Sequence, residues 1–211
     1  MIQETTMDIE MTDGMNGAER AAKRAFDIVA ALVALLVLSP LFAIIILALK
    51  LKARGPVFFR QERIGYRARP FYIYKFRTMR TNTEQDGRPQ LAQTDDERLF
   101  PLGRLLRSHH LDELPQLVNI LKGEMSFVGP RPERQYFIDQ IMAQNSDYRY
   151  IFRMRPGATS KATLYNGYTD TMEKMLVRLQ MDLDYYQHRS LRMDAQILLT
   201  TFKYIFSGKN F

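Results

Sequence analysis

The chain has 211 residues, room for one compact domain with appendages, and no cysteine, which excludes a disulfide framework and suits a reducing compartment. Its 30 Lys and Arg outnumber its 23 Asp and Glu, and residues 1–19 carry five of the acids and none of the bases. The remainder is therefore more basic than the whole and calls for an anionic partner: phosphate ester, acidic lipid or nucleic acid.

Residues 1–19 are polar and lack a helical period, so they read as a disordered acidic tail. The most apolar stretch follows, IVAALVALLVLSPLFAIIILAL (28–49). A secretory signal is excluded, because no small-residue cleavage site follows and the apolar run continues past Pro40. About 20 apolar residues suffice for a spanning helix. Against that, Pro40 removes a backbone donor and disfavours helical angles at Ser39. Basic residues flank both ends: Arg20, Lys23 and Arg24 before, Lys50, Lys52 and Arg54 after. Lys and Arg resist translocation, so both ends favour the cytoplasm. Each half would reach ~14–17 Å, about half of a hydrocarbon core. Residues 20–54 thus read as a re-entrant membrane helix kinked at Ser39 and Pro40, with a Pro-kinked spanning helix as the alternative.

GPVFFRQERIGYRARPFYIYKFRTM (55–79) holds two β-rich runs around a Gly- and Arg-rich turn, which predicts a hairpin. Arg60, Arg63, Arg67 and Arg69 interleave with aromatics as a nucleic-acid patch does. Their place beside the membrane element favours a basic collar on anionic headgroups instead. Residues 81–97 read as an exposed loop.

In RLLRSHHLDELPQLVNILKGEMSFVGPRPE (104–133), Leu114, Leu117, Val118 and Leu121 fall at helical spacing and Gly123 marks a stop. Asp112 then falls near the N-cap and Glu113 in the first turn, where the helix dipole favours an ionised carboxylate. Acids at a helix start are ordinarily caps. Here Arg104 and Arg107 precede them, and Gly129-Pro130-Arg131-Pro132 holds another arginine in a stiff loop, as bidentate phosphate recognition requires. Carboxylates beside phosphate-binding arginines suggest a bridging divalent metal. His109 and His110 are adjacent and share no helix face, so they are assigned no metal. Met172, Met175, Leu176, Leu179 and Leu183 predict a further helix, on which Asp182 can be a solvated position. Residues 190–211 predict an apolar C-terminal helix, either buried or lying in the membrane interface with Lys203 and Lys209 reaching headgroups.

KRAFDI (23–28), the Ser-Pro-broken apolar run, YKFRTM (74–79), LDELPQL-x3-LKG-x-MSFVGPRP (111–132) and RPG (155–157) occur in that order. Together they resemble the bacterial sugar transferase family, the monotopic phosphoglycosyl transferases, over about residues 20–206. The resemblance implies an α+β, mainly helical fold with a re-entrant membrane helix, a cytoplasmic catalytic domain over 55–211 and interfacial helices, in the short form without the N-terminal transmembrane region of longer relatives. It implies transfer of a sugar 1-phosphate from a nucleotide diphosphate sugar, a UDP-sugar, to polyprenyl phosphate at the cytoplasmic face of the bacterial cell membrane. That reaction initiates surface glycan assembly, such as exopolysaccharide, capsule, O-antigen or glycoprotein. Asp112 matches the nucleophile that forms an aspartyl phosphosugar, and Glu113 the Mg2+ ligand. Lys75, Arg107 and Arg131 fall on basic positions that contact phosphate, and Asp182 on an active-site acid. Membrane lipid is an implied partner and nucleic acid is not; there is room for a homodimer and for downstream glycosyltransferases. After Arg155-Pro156-Gly157 the chain departs from the commoner Thr-Gly-Trp-Ala-Gln and later Asn-Gly-Arg. It has Ala158 to Thr163, then Asn166-Gly167-Tyr168, which leaves the sugar and nucleotide open. The contrasting class is a non-catalytic, membrane-anchored module that binds acidic lipid or nucleic acid. Such a surface has no use for Asp112 and Glu113.

Overall fold

The bend sits where the Ser-Pro pair predicts it. In a computed structural model that describes residues 10–80, 96–167 and 169–207, α1 (Gly17–Val37) and α2 (Ser39–Lys52) meet at 60°. Asn16 opens α1 with a capping box, exchanging bonds with Glu19. Leu38 closes it, the Ser39 hydroxyl donates to the Leu36 carbonyl at 2.8 Å, and Pro40 falls in the first turn of α2, where its missing N–H costs nothing. No single helix among the described residues is long and apolar enough to cross a membrane, whereas the bent pair taken together is.

The first turns of α1 are bolted to the body, and beyond them one face stays packed while the other is apolar and open. Arg24 donates to the carbonyls of Ile120 (2.6 Å) and Leu121 (2.9 Å), and Asp27, though buried, accepts from Phe127 N–H at 3.1 Å. Lys23 pairs with Asp194. Further along, Ala31 packs against Leu117, Ile120 and Met125, while Val29, Leu32, Leu36 and Val37 stay exposed.

The predicted hairpin forms as β1 (Phe58–Ile64) and β2 (Pro70–Phe76), antiparallel with Phe58 opposite Phe76. The outer edge of β2 is paired by a side chain. Asn119, fully buried on α4 (Gln116–Lys122), accepts from Tyr74 N–H at 3.0 Å and donates to the Tyr72 carbonyl at 2.7 Å. Its amide mimics a strand partner and fixes α4 against β2. Asn119→Leu leaves both backbone groups unpaired, and a loss of about 3 kcal/mol is expected, read as a lowered thermal midpoint in detergent.

A second, two-stranded parallel sheet joins β3 (Ser126–Val128) to β4 (Gly157–Thr159). Gly129 and Gly157 let the backbones touch: a Cβ on Gly129 would meet the Arg155 carbonyl at 2.3 Å, and one on Gly157 the Gly129 nitrogen at 2.1 Å. That contact sets the stiff loop carrying Arg131. Around this sheet pack α5 (Gln135–Gln144), α6 (Lys161–Asn166), α7 (Met172–His188) and α8 (Leu191–Ser207), while α3 (Pro101–Ser108) lies against α2 and the end of β2. Ile138, Ile141, Met154, Leu179 and Leu183 form the main core. The fold is α+β and mainly helical, as expected. On α8, Asp194 and Ile197 are buried, while Leu199 and Phe202 are exposed together with Arg192, Gln196 and Lys203, so the helix is buried on one face and mixed on the open one.

One expectation is corrected. Residues 10–16 are not a disordered tail: Asp13 takes both Nε and Nη2 of Arg189 at 2.7 and 2.6 Å, Gly14 N–H reaches the Tyr186 carbonyl, and Met15 is buried. The acid that reads as tail is the counter-ion of a buried arginine. Residues 1–9, most of the 81–97 loop (81–95), Tyr168 and Lys209 lie outside the described residues.

Candidate active site

The site grows from the joint between α3 and α4. After Ser108 the chain turns left-handed at His110 (φ 54°, ψ 18°) and enters a single 3-10 turn over Leu111–Glu113. Asp112 and Glu113 ride on that turn. The N-cap of α4 is Pro115 rather than Asp112, and no side-chain capping bond forms. The expected helix N-terminus at Asp112 is thereby corrected. Pro115 lacks an N–H and starts the helix itself, so the dyad is left in the joint ahead of it.

The expected electrostatics of Asp112 is corrected as well. Burial dominates and pushes its carboxyl up to about 6, with Lys75 and Arg107 pulling down and Glu113 pushing up. Glu113 goes the other way. Burial raises it, but Lys75 and Arg131 outweigh that and bring it down to about 2. Lys75 Nζ, on β2, donates to Glu113 Oε1 at 2.5 Å. Two neighbouring carboxyls are thus driven apart, the pattern by which one fold separates two acid roles.

Lys75, Glu113, Gln116, Arg131 and Ala158 line one cavity, and Arg107 adds its charge beside Asp112 and His110. Arg131 also lines an adjoining cavity with Glu133, Arg178 and Asp182. Asp182 lines this second cavity, which shares Arg131 with the first. It is buried rather than solvated, which overturns the surface reading, and its Oδ1 has no hydrogen-bond partner among the described residues. Burial pushes its carboxyl up to about 7, with Arg178 opposing and Glu133 adding to the rise.

Three residues of this second cavity's surroundings escaped sequence reasoning. Glu133 accepts from Arg178 at 2.6 Å and from Arg63 at 3.3 Å. Arg63 is thus turned inward, unlike the headgroup collar expected of it. Arg178 stands four residues before Asp182 on α7, a helical spacing that marks one face. Asp194 accepts from Tyr185 and Lys23 and is structural. In the departing segment, Ser160 caps α6 and Lys161 pairs with Asp184 at 2.7 Å.

Among the described residues no cluster of three or more His, Cys, Asp and Glu could cage a metal. Mg2+ does not demand one, since it uses one or two carboxylates together with waters and substrate phosphates. Glu113, held ionised at the cavity beside Asp112, fits that donor set, with Lys75 already on one of its oxygens.

A carboxylate pair set among Lys75, Arg107 and Arg131, on a body carrying a bent apolar helix pair, suits phosphate chemistry against a lipid surface. The chain belongs to the family described as Bacterial sugar transferase, whose model matches residues 18–208. It is 40% identical over 186 residues to the UDP-N-acetylgalactosamine-undecaprenyl-phosphate N-acetylgalactosaminephosphotransferase of Aeromonas hydrophila, covering 88% of this chain and 44% of that protein. It is 41% identical over 192 residues to the UDP-glucose:undecaprenyl-phosphate glucose-1-phosphate transferase of Escherichia coli (strain K12), covering 90% and 41%. An exopolysaccharide production protein, PSS, of Rhizobium leguminosarum bv. phaseoli is 40% identical over 185 residues, covering 85% and 92%. The chain spans less than half the length of the first two of these relatives.

Proposed function

We propose that this protein transfers a sugar 1-phosphate from a UDP-sugar to undecaprenyl phosphate, at a membrane and as a first step of exopolysaccharide assembly. The observation that carries the reading is the dyad and its surroundings: Asp112 buried in the joint, Glu113 bonded to Lys75 Nζ, and Lys75, Glu113 and Arg131 lining one cavity. At neutral pH Asp112 is mostly ionised yet poorly solvated, which makes it the better nucleophile of the two. Its oxygen attacks the sugar-bearing phosphorus, the anhydride bond to the nucleoside monophosphate breaks, and the monophosphate leaves with that electron pair. The enzyme then holds the sugar phosphate as a mixed anhydride on Asp112. An oxygen of the lipid phosphate attacks the same phosphorus and releases the Asp112 carboxylate. One phosphoanhydride is exchanged for another, so no external energy source is needed. Arg131 and Lys75 line the cavity that receives the diphosphate, and Arg107 offsets charge beside the attacking oxygen.

Mg2+ is part of this reading. Glu113 would hold it together with diphosphate oxygens, and the ion supplies charge neutralisation at the transferring phosphorus. The bent helix pair, with its exposed Val29, Leu32, Leu36, Ile44 and Leu47, would enter one leaflet and return, leaving the dyad on the side where nucleotide sugars are made. Ala158, the first residue of the departing segment, lies at the cavity, so that segment is placed to influence sugar choice.

The test is release of nucleoside monophosphate from a panel of nucleotide sugars with undecaprenyl phosphate present. Release is expected with at least one UDP-sugar, and its complete absence across the panel would turn the protein into a binding module. EDTA is expected to abolish release, and Glu113→Gln to cut it by about 100-fold even at high Mg2+. Full activity in EDTA removes the metal from the reading and leaves Asp112 untouched.

A further inference from the structure

We propose that His110 is a positioning residue for the transfer reaction: its left-handed backbone sets the Asp112–Glu113 turn, and its ring is not required. The inference rests on the reading of Asp112 as nucleophile.

Both flanks of the dyad are anchored. On α3, Gly103 lies so close to the strand-end segment that a Cβ there would meet the Thr78 carbonyl at 2.0 Å, and Leu106 is buried against the cluster of Leu49 and Phe76. On the other side, Asn119 locks α4 to the edge of β2. Between these fixed helices the path of the chain is decided by the joint, and the joint holds one unusual residue. His110 N–H donates to the Arg107 carbonyl at 3.1 Å, and its own carbonyl accepts from Glu113 N–H at 3.3 Å. A single left-handed residue thus ends α3 and opens the turn, the place where a helix usually carries glycine. At right-handed angles α3 would run on, and Asp112 would be carried around its axis away from its buried seat beside Lys75 and Arg107.

A side chain at such angles crowds its Cβ, although His, with Asn and Asp, tolerates them better than most residues. Among the described residues the other non-glycine positions with positive φ are Arg67 and Ala68, in the turn between β1 and β2. Lys75, Arg107 and Arg131 stand around the dyad. The charges that meet phosphate come from those three cations. What His110 contributes is the angle of its backbone.

Four variants separate backbone from ring: His110→Gly, His110→Asn, His110→Ala and His110→Val. All four lack imidazole, but they accept left-handed angles in that falling order. The readouts are kcat and KM for nucleotide sugar, with the thermal midpoint measured alongside. His110→Gly and His110→Asn are expected to stay within about threefold of the natural kcat, and His110→Val to lose about 100-fold in kcat with KM little changed, as a displaced reacting group does. If the Val variant does not fold, the Gly and Ala pair decides, with Ala expected below Gly. Equal losses in Gly and Ala would assign the effect to the ring and overturn the proposal, as would a Val variant with natural kcat. Asp112→Asn, assayed in parallel, tests the nucleophile separately, because its outcome does not alter the order within the His110 series.

Discussion

Asp112→Asn is expected to bind nucleotide sugar with little change and to lose at least about a thousandfold in turnover, because a residue acting as nucleophile cannot be replaced by its neutral isostere. The variant keeps the size of the side chain, and Lys75, Arg107 and Arg131 still stand ready for phosphate. What disappears is the oxygen that forms the bond. In the natural protein, incubation with nucleotide sugar and no lipid acceptor should load one sugar phosphate per chain and release one monophosphate. Intact-protein mass spectrometry should show the adduct, and tandem spectra should place it on Asp112. The pH profile carries a second signature. The ionised form attacks, and burial raises its carboxyl to about 6, so loading should be near its maximum at pH 7 and fall about tenfold per unit below 6. A carboxyl left at its ordinary value of 3.8 would lose nothing until much lower pH. Turnover by Asp112→Asn, or monophosphate release only when both substrates are bound, would replace the covalent route with direct attack by the lipid phosphate.

Elements governed by local chemistry were legible in the sequence. The Ser39-Pro40 bend follows from a missing N–H, and the hairpin from β-rich runs about a Gly-Arg turn. The adjacency of Lys75, Glu113 and Arg131 came through the resemblance and is present in the geometry. Features made by distant partners were not legible. Asp13 reads as part of an acidic tail because Arg189 is 176 residues away. Arg63 reads as a headgroup contact because Glu133, which turns it inward, is 70 residues on. The state of Asp112 depended on two such facts at once: Pro115 rather than Asp112 begins α4, and the joint is buried. Helix periodicity placed the dyad within a few residues but gave it the wrong environment, so the inferred cause of its ionisation was wrong too. For Asp182, periodicity alone left a solvated position open beside the active-site acid that the resemblance implies, and burial removes the solvated one. Spacing put it on α7, and only packing shows that this part of the helix faces inward.

Membrane topology gives the other large expected effect, and the chain offers a clean reporter because it has no cysteine. A cysteine placed by Ile2→Cys or Phe211→Cys should escape a membrane-impermeant maleimide in intact cells and react after permeabilisation. Changing Ser39 to Ala and Pro40 to Leu should then move the N-terminus across in a large fraction of molecules. The natural bend depends on the Ser39 hydroxyl holding the Leu36 carbonyl and on a residue that cannot donate within the joint. With Ala and Leu there, helical bonds can run from Gly17 to Lys52, roughly 54 Å of helix, longer than a hydrocarbon core of about 30 Å. Two forces resist. Arg20, Lys23 and Arg24 oppose translocation, and Lys23 and Arg24 are tied to Asp194 and to the end of α4. Straightening has to break those ties, and it also pulls Ala31 from Leu117 and Ile120 on the helix that follows the dyad. Molecules labelled from outside should therefore be inactive, while the unlabelled remainder keeps turnover. External labelling of Ile2→Cys in the otherwise natural chain would show a spanning helix and end the re-entrant reading.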